Sequence, residues 1–219
     1  MTDARGILFD MDGLLLDTER LALETFVALT VPGFLTSAEA EGHFMDLIGS
    51  SSVQTRARVA EILPSDADHD RFHTDWNVAF HARTAEGIPL KPGAREVVED
   101  LAARGRVMAI VTSSKTETAR RHLGHVGLLQ HFVAVIGGDA VANNKPHPEP
   151  YETGAAAIGR MPADCVAFED SDTGIAAAMA AGCDGWQVPD LRPPGRSLPD
   201  LGQNRAPTLT DAARGAGLL

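Results

Sequence analysis

The 219-residue chain reads as an α/β protein: a doubly wound parallel sheet interrupted once by a helical insert. Three observations predict this. Five short apolar runs recur without clean alternation, which suits parallel strands covered on both faces. Helical spacing fills the intervals between them. One long stretch, 18–89, breaks the alternation and carries no strand-like run.

The first run, Gly6 to Phe9, ends directly in Asp10. The next four are Val107 to Val111, Phe132 to Ile136, Cys165 to Phe168 and Cys183 to Val188. Between them, Ala94, Val97, Val98, Leu101 and Ala102 share one helical stripe, with Gly105 as its stop. The alanine-rich stretch 172–181 stops at Gly182 in the same manner. In the insert, Leu21, Ala22, Thr25, Phe26 and Leu29 repeat at helical spacing, and Phe72, Trp76 and Phe80 recur every four residues. The expected organisation is a core of residues 1–17 and 90–219 and a helical cap of residues 18–89. Pro89 and Pro92 flank Lys91 as a hinge back to the core, and the tail from Pro189 to Pro199 reads as a surface loop.

Composition narrows the function classes. The formal net charge is -11, which argues against nucleic acid or anionic membrane as main partners. No run reaches the roughly 18 apolar residues of a membrane span. Asp10 and Asp12 interrupt the N-terminal apolar stretch, so no signal peptide is expected and the cytoplasm is the expected location. Cys165 and Cys183 lack metal-ligand spacing and sit in apolar runs, as reduced core residues would.

The chemistry is concentrated at the strand ends. The first strand runs into Asp10-Met11-Asp12-Gly13, two carboxylates two residues apart. Thr112, Ser113 and Ser114 follow the second run, a loop carrying Lys145 follows the third, and Glu169-Asp170-Ser171 follow the fourth. Ligands of open parallel sheets bind beyond the carboxyl ends of the strands, so these residues can line one crevice. Together they suit displacement at phosphorus. A carboxylate nucleophile splits the reaction into two steps. Cations must offset repulsion between that carboxylate and an anionic phosphate. Magnesium takes hard oxygen ligands, and Asp10, Asp170 and Glu169 supply them. Lys145 adds a point charge, Thr112 donates to a phosphate oxygen, and Asp12 gives the leaving group its proton.

Four segments carry a resemblance: Asp10 to Glu19, Val111 to Ser114, Lys145 to Glu149, and Phe168 to Ile175. In that order they resemble the motifs of the haloacid dehalogenase (HAD) superfamily, and the match is nearest to its helical-cap branch of β-phosphoglucomutases and small sugar-phosphate phosphatases. The resemblance implies a Rossmann-like parallel sheet core with an inserted helical cap, and a Mg2+-dependent hydrolase of a small phosphorylated metabolite. It implies Asp10 as nucleophile and Asp12 as general acid/base. Asp10, the backbone carbonyl of Asp12, Asp170 and Glu169 would hold the metal. Thr112, the Ser113 N–H and Lys145 would hold the phosphoryl group. Asp12 also separates the chain from the superfamily's dehalogenases and ATPases. A cap that opens for exchange and closes to exclude water is expected, with Gly13 and Pro89 to Gly93 as hinges.

A phosphosugar mutase using the same aspartyl-phosphate is the first alternative. The mutase branch carries a histidine where this chain has Ala22, and a cap arginine where it has Ser52 after Gly49. Ser114 and Lys115, by contrast, resemble mutase residues that grip a distal phosphate. A regulatory or binding protein on the same fold is the alternative of another class; it has no need of a general acid beside a nucleophile. Other residues read as structural. Arg56 and Arg58 suit a solvated surface, Phe72, Trp76 and Phe80 suit the cap core, and His69 and His73 suit an exposed helix face. His43 and His81 show no metal spacing.

Overall fold

The structure, a computed structural model, describes residues 5–48, 52–192 and 195–219, with residues 52–54 in backbone alone. Among the described residues six strands form one sheet: β1 (Gly6–Phe9), β2 (Met108–Val111), β3 (Ala134–Ile136), β4 (Cys165–Glu169), β5 (Asp184–Gln187) and β6 (Asn204–Arg205). Their order is β3-β2-β1-β4-β5-β6, and every pairing is parallel. The expected parallel α/β core is therefore present. β1, β2 and β4 are buried at every position, which explains their unbroken apolar runs. β6 has no counterpart among the predicted strands. It is two exposed polar residues at the sheet edge, so neither apolarity nor alternation marks it.

The chain divides into two compact units. One gathers residues up to Asp17, Pro89–Asp190 and Leu198–Leu219; the other gathers Thr18–Ile88 and Leu191–Ser197. The second unit is helical, with α1 (Thr18–Thr30), α2 (Ser37–Leu47), α3 (Ser52–Ile62) and α4 (His69–Glu86). Thr36 begins α2 with a capping box: its hydroxyl accepts from the Glu39 N–H while Glu39 accepts from the Thr36 N–H. Asp68 caps α4 through the Arg71 N–H at 2.9 Å.

The helical unit has its own core of Phe26, Ala40, Phe44, Leu47, Val59, Leu63 and Phe72. Phe26, on the predicted stripe of α1, is fully buried and meets the rings of Phe44, Phe72 and Trp76 at 5.9, 6.0 and 5.1 Å. Truncating such a ring costs about 3–5 kcal/mol, so this residue anchors the unit. Trp76 packs at the margin of the cluster, whereas Phe80 is half-buried and lies outside it. Arg56 is exposed and pairs with Asp70 at 2.6 Å. Exposed Arg58 donates to the Asp46 carbonyl. The mutase-position comparison at Gly49 and Ser52 falls outside the described residues and on a residue described in backbone alone.

The exposed-face reading of His73 is corrected. His73 is 7% exposed, its ring lies 6.2 Å from Phe72 and 6.3 Å from Trp76, and its Nε2 has no hydrogen-bond partner among the described residues. The i, i+4 rule placed it beside His69, but the aromatic stripe of α4 is wide enough to take it inward.

The first unit wraps its sheet with α5 (Ala94–Ala103), α6 (Thr116–His125), α7 (Glu149–Ala157), α8 (Asp172–Ala181) and α9 (Leu209–Gly215). The buried side of α5 is Ala94, Val97, Val98 and Leu101, as its stripe predicts. α8 ends at Gly182 (φ +88°), where the Cys183 N–H reaches back to the Ala178 carbonyl at 3.0 Å. Both cysteines are free and buried, and burial pushes their thiols up to about 11 for Cys165 and about 12 for Cys183. Lys91 contacts Asp17 at 3.4 Å and Asp190 at closer range, tying together three residues where the chain passes between the two units. No helix among the described residues is long and apolar enough to cross a membrane.

Burial lowers the His73 pKa below its ordinary value of 6.5. The unfolded chain therefore takes up this proton first, and its contribution to stability, full above pH 6.5, falls as pH drops below that value. Thermal unfolding between pH 8 and pH 5 should show this acid-side loss, and His73→Leu should flatten it. An unchanged slope in the variant would remove His73 as its source.

Candidate active site

Parallel pairing puts the carboxyl ends of β1, β2, β3 and β4 at one edge of the sheet. Asp10 directly follows β1, and its N–H donates to the Phe168 carbonyl at 3.0 Å, so it is held by the ladder itself. Thr112 follows β2 in the same way, donating its N–H to Ile136 at 2.9 Å. Glu169 is the last residue of β4 and Asp170 the next. These ladder bonds leave little backbone freedom at three of the chemical positions.

A tight turn brings Asp12 back beside Asp10. The Gly13 N–H donates to the Leu16 carbonyl at 2.8 Å, and the Leu15 and Leu16 N–H groups share the Met11 carbonyl. Gly13 sits at φ +83°, and a Cβ there would lie 2.4 Å from Asp170 Oδ2. Glycine thus serves both the turn and the approach of Asp170.

Lys145 links the site. Its side chain is 4% exposed, and its Nζ donates to Asp10 Oδ1 at 2.6 Å, Glu169 Oε1 at 2.6 Å and the Val111 carbonyl at 2.8 Å. Removal from water disfavours the ammonium, but Asp10 and Glu169 outweigh that and hold its pKa above the ordinary lysine value. Asp10 shows the opposite balance. Burial, opposed by Lys145 and joined by the charges of Glu169 and Asp12, raises its pKa well above the usual carboxylate range.

Glu169 is fully buried and heavily engaged. Oε1 accepts from Lys145 and from the Tyr151 hydroxyl at 2.7 Å; Oε2 accepts from the Ser171 hydroxyl at 3.1 Å and N–H at 3.3 Å. α8 passes so near that a Cβ on Gly174 would fall 1.9 Å from Oε1. Asp12 Oδ2 accepts from the Ser114 hydroxyl at 2.8 Å and the Thr112 hydroxyl at 3.2 Å. Ser113, between those two donors, is exposed.

The structure thus brings Asp10, Lys145 and Glu169 into one buried ion network and pairs Asp12 with Thr112. Sequence reasoning missed Tyr151 and Ser171 as partners of Glu169. Tyr151 is the chain's single tyrosine, on α7 six residues after Lys145, yet neither periodicity nor charge marks it. Ser114, which resembled a distal-phosphate contact, here holds Asp12.

Asp10, Glu169 and Asp170 can each offer one oxygen, and these oxygens lie within 4.8 Å of one another. All are hard donors. The Lys145 ammonium is shared by Asp10 and Glu169, and burial makes the Asp10 anion costly. A small divalent cation is the group that such a donor set fits, because it would offset that cost. A cation beside Lys145 can in turn receive an anionic ligand at the sheet edge.

A family model described as haloacid dehalogenase-like hydrolase matches residues 7–188. The fructose-1-phosphate phosphatase YqaB of Escherichia coli K12 is 31% identical over 192 residues, covering 84% of this chain and 95% of that protein. A phosphoglycolate phosphatase of Pectobacterium atrosepticum is 31% identical, with 84% and 79% covered. Among solved structures, a HAD family hydrolase from Deinococcus radiodurans with bound phosphate and sodium aligns with TM-score 0.78 at 28% identity, covering 100% of this chain and 99% of that one. A family match over most of the chain, with all four motif segments inside it, establishes that this protein is an enzyme of the haloacid dehalogenase-like hydrolase family.

Proposed function

We propose that the chain is a magnesium-dependent phosphatase of a small phosphomonoester, a sugar phosphate or a related organic phosphate, acting through an aspartyl-phosphate on Asp10. The observation that carries the reading is the placement of Lys145 between Asp10 and Glu169, with Asp12 presented separately on two hydroxyl donors. Relatives named as phosphatases of fructose 1-phosphate and of phosphoglycolate support the substrate class.

Asp10, Asp170 and the Asp12 carbonyl would hold Mg2+, with Glu169 contributing directly or through water. When bound, the ion neutralises charge on the phosphoryl oxygens and on Asp10. Asp10 attacks phosphorus, an acyl-phosphate bond forms, and the ester P–O bond breaks. Asp12 gives its proton to the departing alkoxide. Water then attacks the phosphorus, Asp12 takes back a proton, and Asp10 is released with inorganic phosphate. Thr112, the Ser113 N–H and Lys145 bind the transferring group through both steps. Thr112 then exchanges its contact with Asp12 for one with a phosphoryl oxygen, freeing Asp12 to work.

A panel of hexose phosphates, pentose phosphates and phosphoglycolate tests this. Phosphate release should occur with magnesium, stop with EDTA and concentrate on one ester. Silence across the panel, with conversion of β-glucose 1-phosphate to its 6-phosphate, would make the protein a mutase instead.

Asp10→Asn removes the attacking oxygen's charge and should lower kcat at least about 10³-fold. Near-normal turnover would reject Asp10 as the nucleophile. For Asp12→Ala the expected loss is about 10²–10⁴-fold, the usual worth of a positioned acid/base. An activated ester such as p-nitrophenyl phosphate should recover the first step in this variant, because its leaving group needs no proton. Equal losses on activated and ordinary esters would reject the general-acid role.

A further inference from the structure

We infer that Glu149 is a positioning residue for Lys145, clasping the loop that carries the lysine into the site. This rests on the reading of Lys145 as a phosphate-binding group. Lys145 sits in the irregular segment between Ile136 of β3 and Glu149 of α7. Such a segment has no ladder to fix it, yet its ammonium meets three acceptors, each at 2.6 to 2.8 Å.

Backbone bonds, two local and one to the loop after β2, hold the two ends of the segment. Ala140 donates its N–H to Gly137 at 2.9 Å, His147 to Asn144 at 3.0 Å, and Gly138 to Ser114 at 2.9 Å. The middle is held by Asn144, whose Nδ2 donates to the Gly138 carbonyl at 3.1 Å, and by Glu149. Glu149 Oε1 accepts from the Ala142 N–H at 2.8 Å; its Oε2 accepts from the Asn143 N–H at 2.9 Å and Nδ2 at 2.8 Å. Those three donors, the Ala142 N–H first, hold the carboxyl below its ordinary range, so the clasp uses the anion.

The clasp has a rigid base. Glu149 occupies the first turn of α7, and two residues later Tyr151 is fully buried and donates to Glu169. One helix start therefore carries two supports of the ion network: Tyr151 orients Glu169, and Glu149 orients the loop that brings Lys145 to it. Glu149 touches none of the residues proposed to meet phosphate, so it acts through the loop. A solvated acid at a helix start, the plainer reading, would bond water rather than three donors of one turn.

The test uses the full chain with magnesium and the ester that the panel identifies. It compares kcat, KM and thermal unfolding for Glu149→Ala, Glu149→Gln and Lys145→Arg, alone and combined. Glu149→Ala should lower kcat/KM about 10- to 100-fold, the scale of an ångström-sized misplacement, with little change in unfolding midpoint. Glu149→Gln, which keeps one acceptor, should recover part of that. In the Lys145→Arg background the Glu149→Ala effect should shrink, because a misfitted cation gains less from a held loop. Unchanged kcat/KM in Glu149→Ala, no recovery with Gln, or full additivity with Lys145→Arg would each overturn the inference. Full activity in Lys145→Ala would instead overturn the underlying reading of the lysine.

Discussion

The site depends on one constraint: an ammonium and two carboxylates taken almost wholly out of water. Lys145, Asp10 and Glu169 lie at the sheet edge with almost no exposure. Removing such charges from solvent costs several kcal/mol per ion unless geometry and hydrogen bonds restore the loss. The neighbouring structure meets that demand. Val111 gives its carbonyl to Lys145, and Tyr151 and Ser171 donate to Glu169. Gly174 lets α8 approach where any side chain would strike the carboxylate.

Glu169 gains most from this support, and Asp10 least. Glu169 accepts four donors, whereas the side chain of Asp10 is matched with one ammonium and crowded by further negative charge. An anion left costly in this way is suited to receive a cation and then to react, because both events relieve it. The same imbalance separates the proposed duties: a well-supported carboxylate that anchors the lysine, and a less supported one that performs chemistry. Asp12 stands apart again, on neutral hydroxyl donors that an incoming phosphoryl group can draw away.

Most of the core was legible in the residue order. β1, β2 and β4 are buried on both faces, so their apolar runs were unbroken, and α5 and α8 had clear stripes and glycine stops. β6 was not legible, because two polar edge residues leave no hydrophobic trace. His73 was misjudged because periodicity assigns a helix face but not how much of that face a neighbouring helix covers. The contacts of Tyr151 and Glu149 were not legible because each bonds a partner set by folding, Glu169 for the tyrosine and the Ala142 and Asn143 amides for the glutamate.

The sequence by itself determined the fold class, the family and the identity of the strand-end residues, because strand burial and strand-end chemistry are written in local order. Only the tertiary structure decided which of those residues touch. Contacts between Lys145, Asp10 and Glu169 join two neighbouring strand ends with the loop that follows a third, and parallel pairing sets those strands side by side. Residue spacing along the chain carries no record of that distance. The proposed division of labour among the carboxylates rests on those contacts, since groups of one chemical type differ here in burial and in the donors around them.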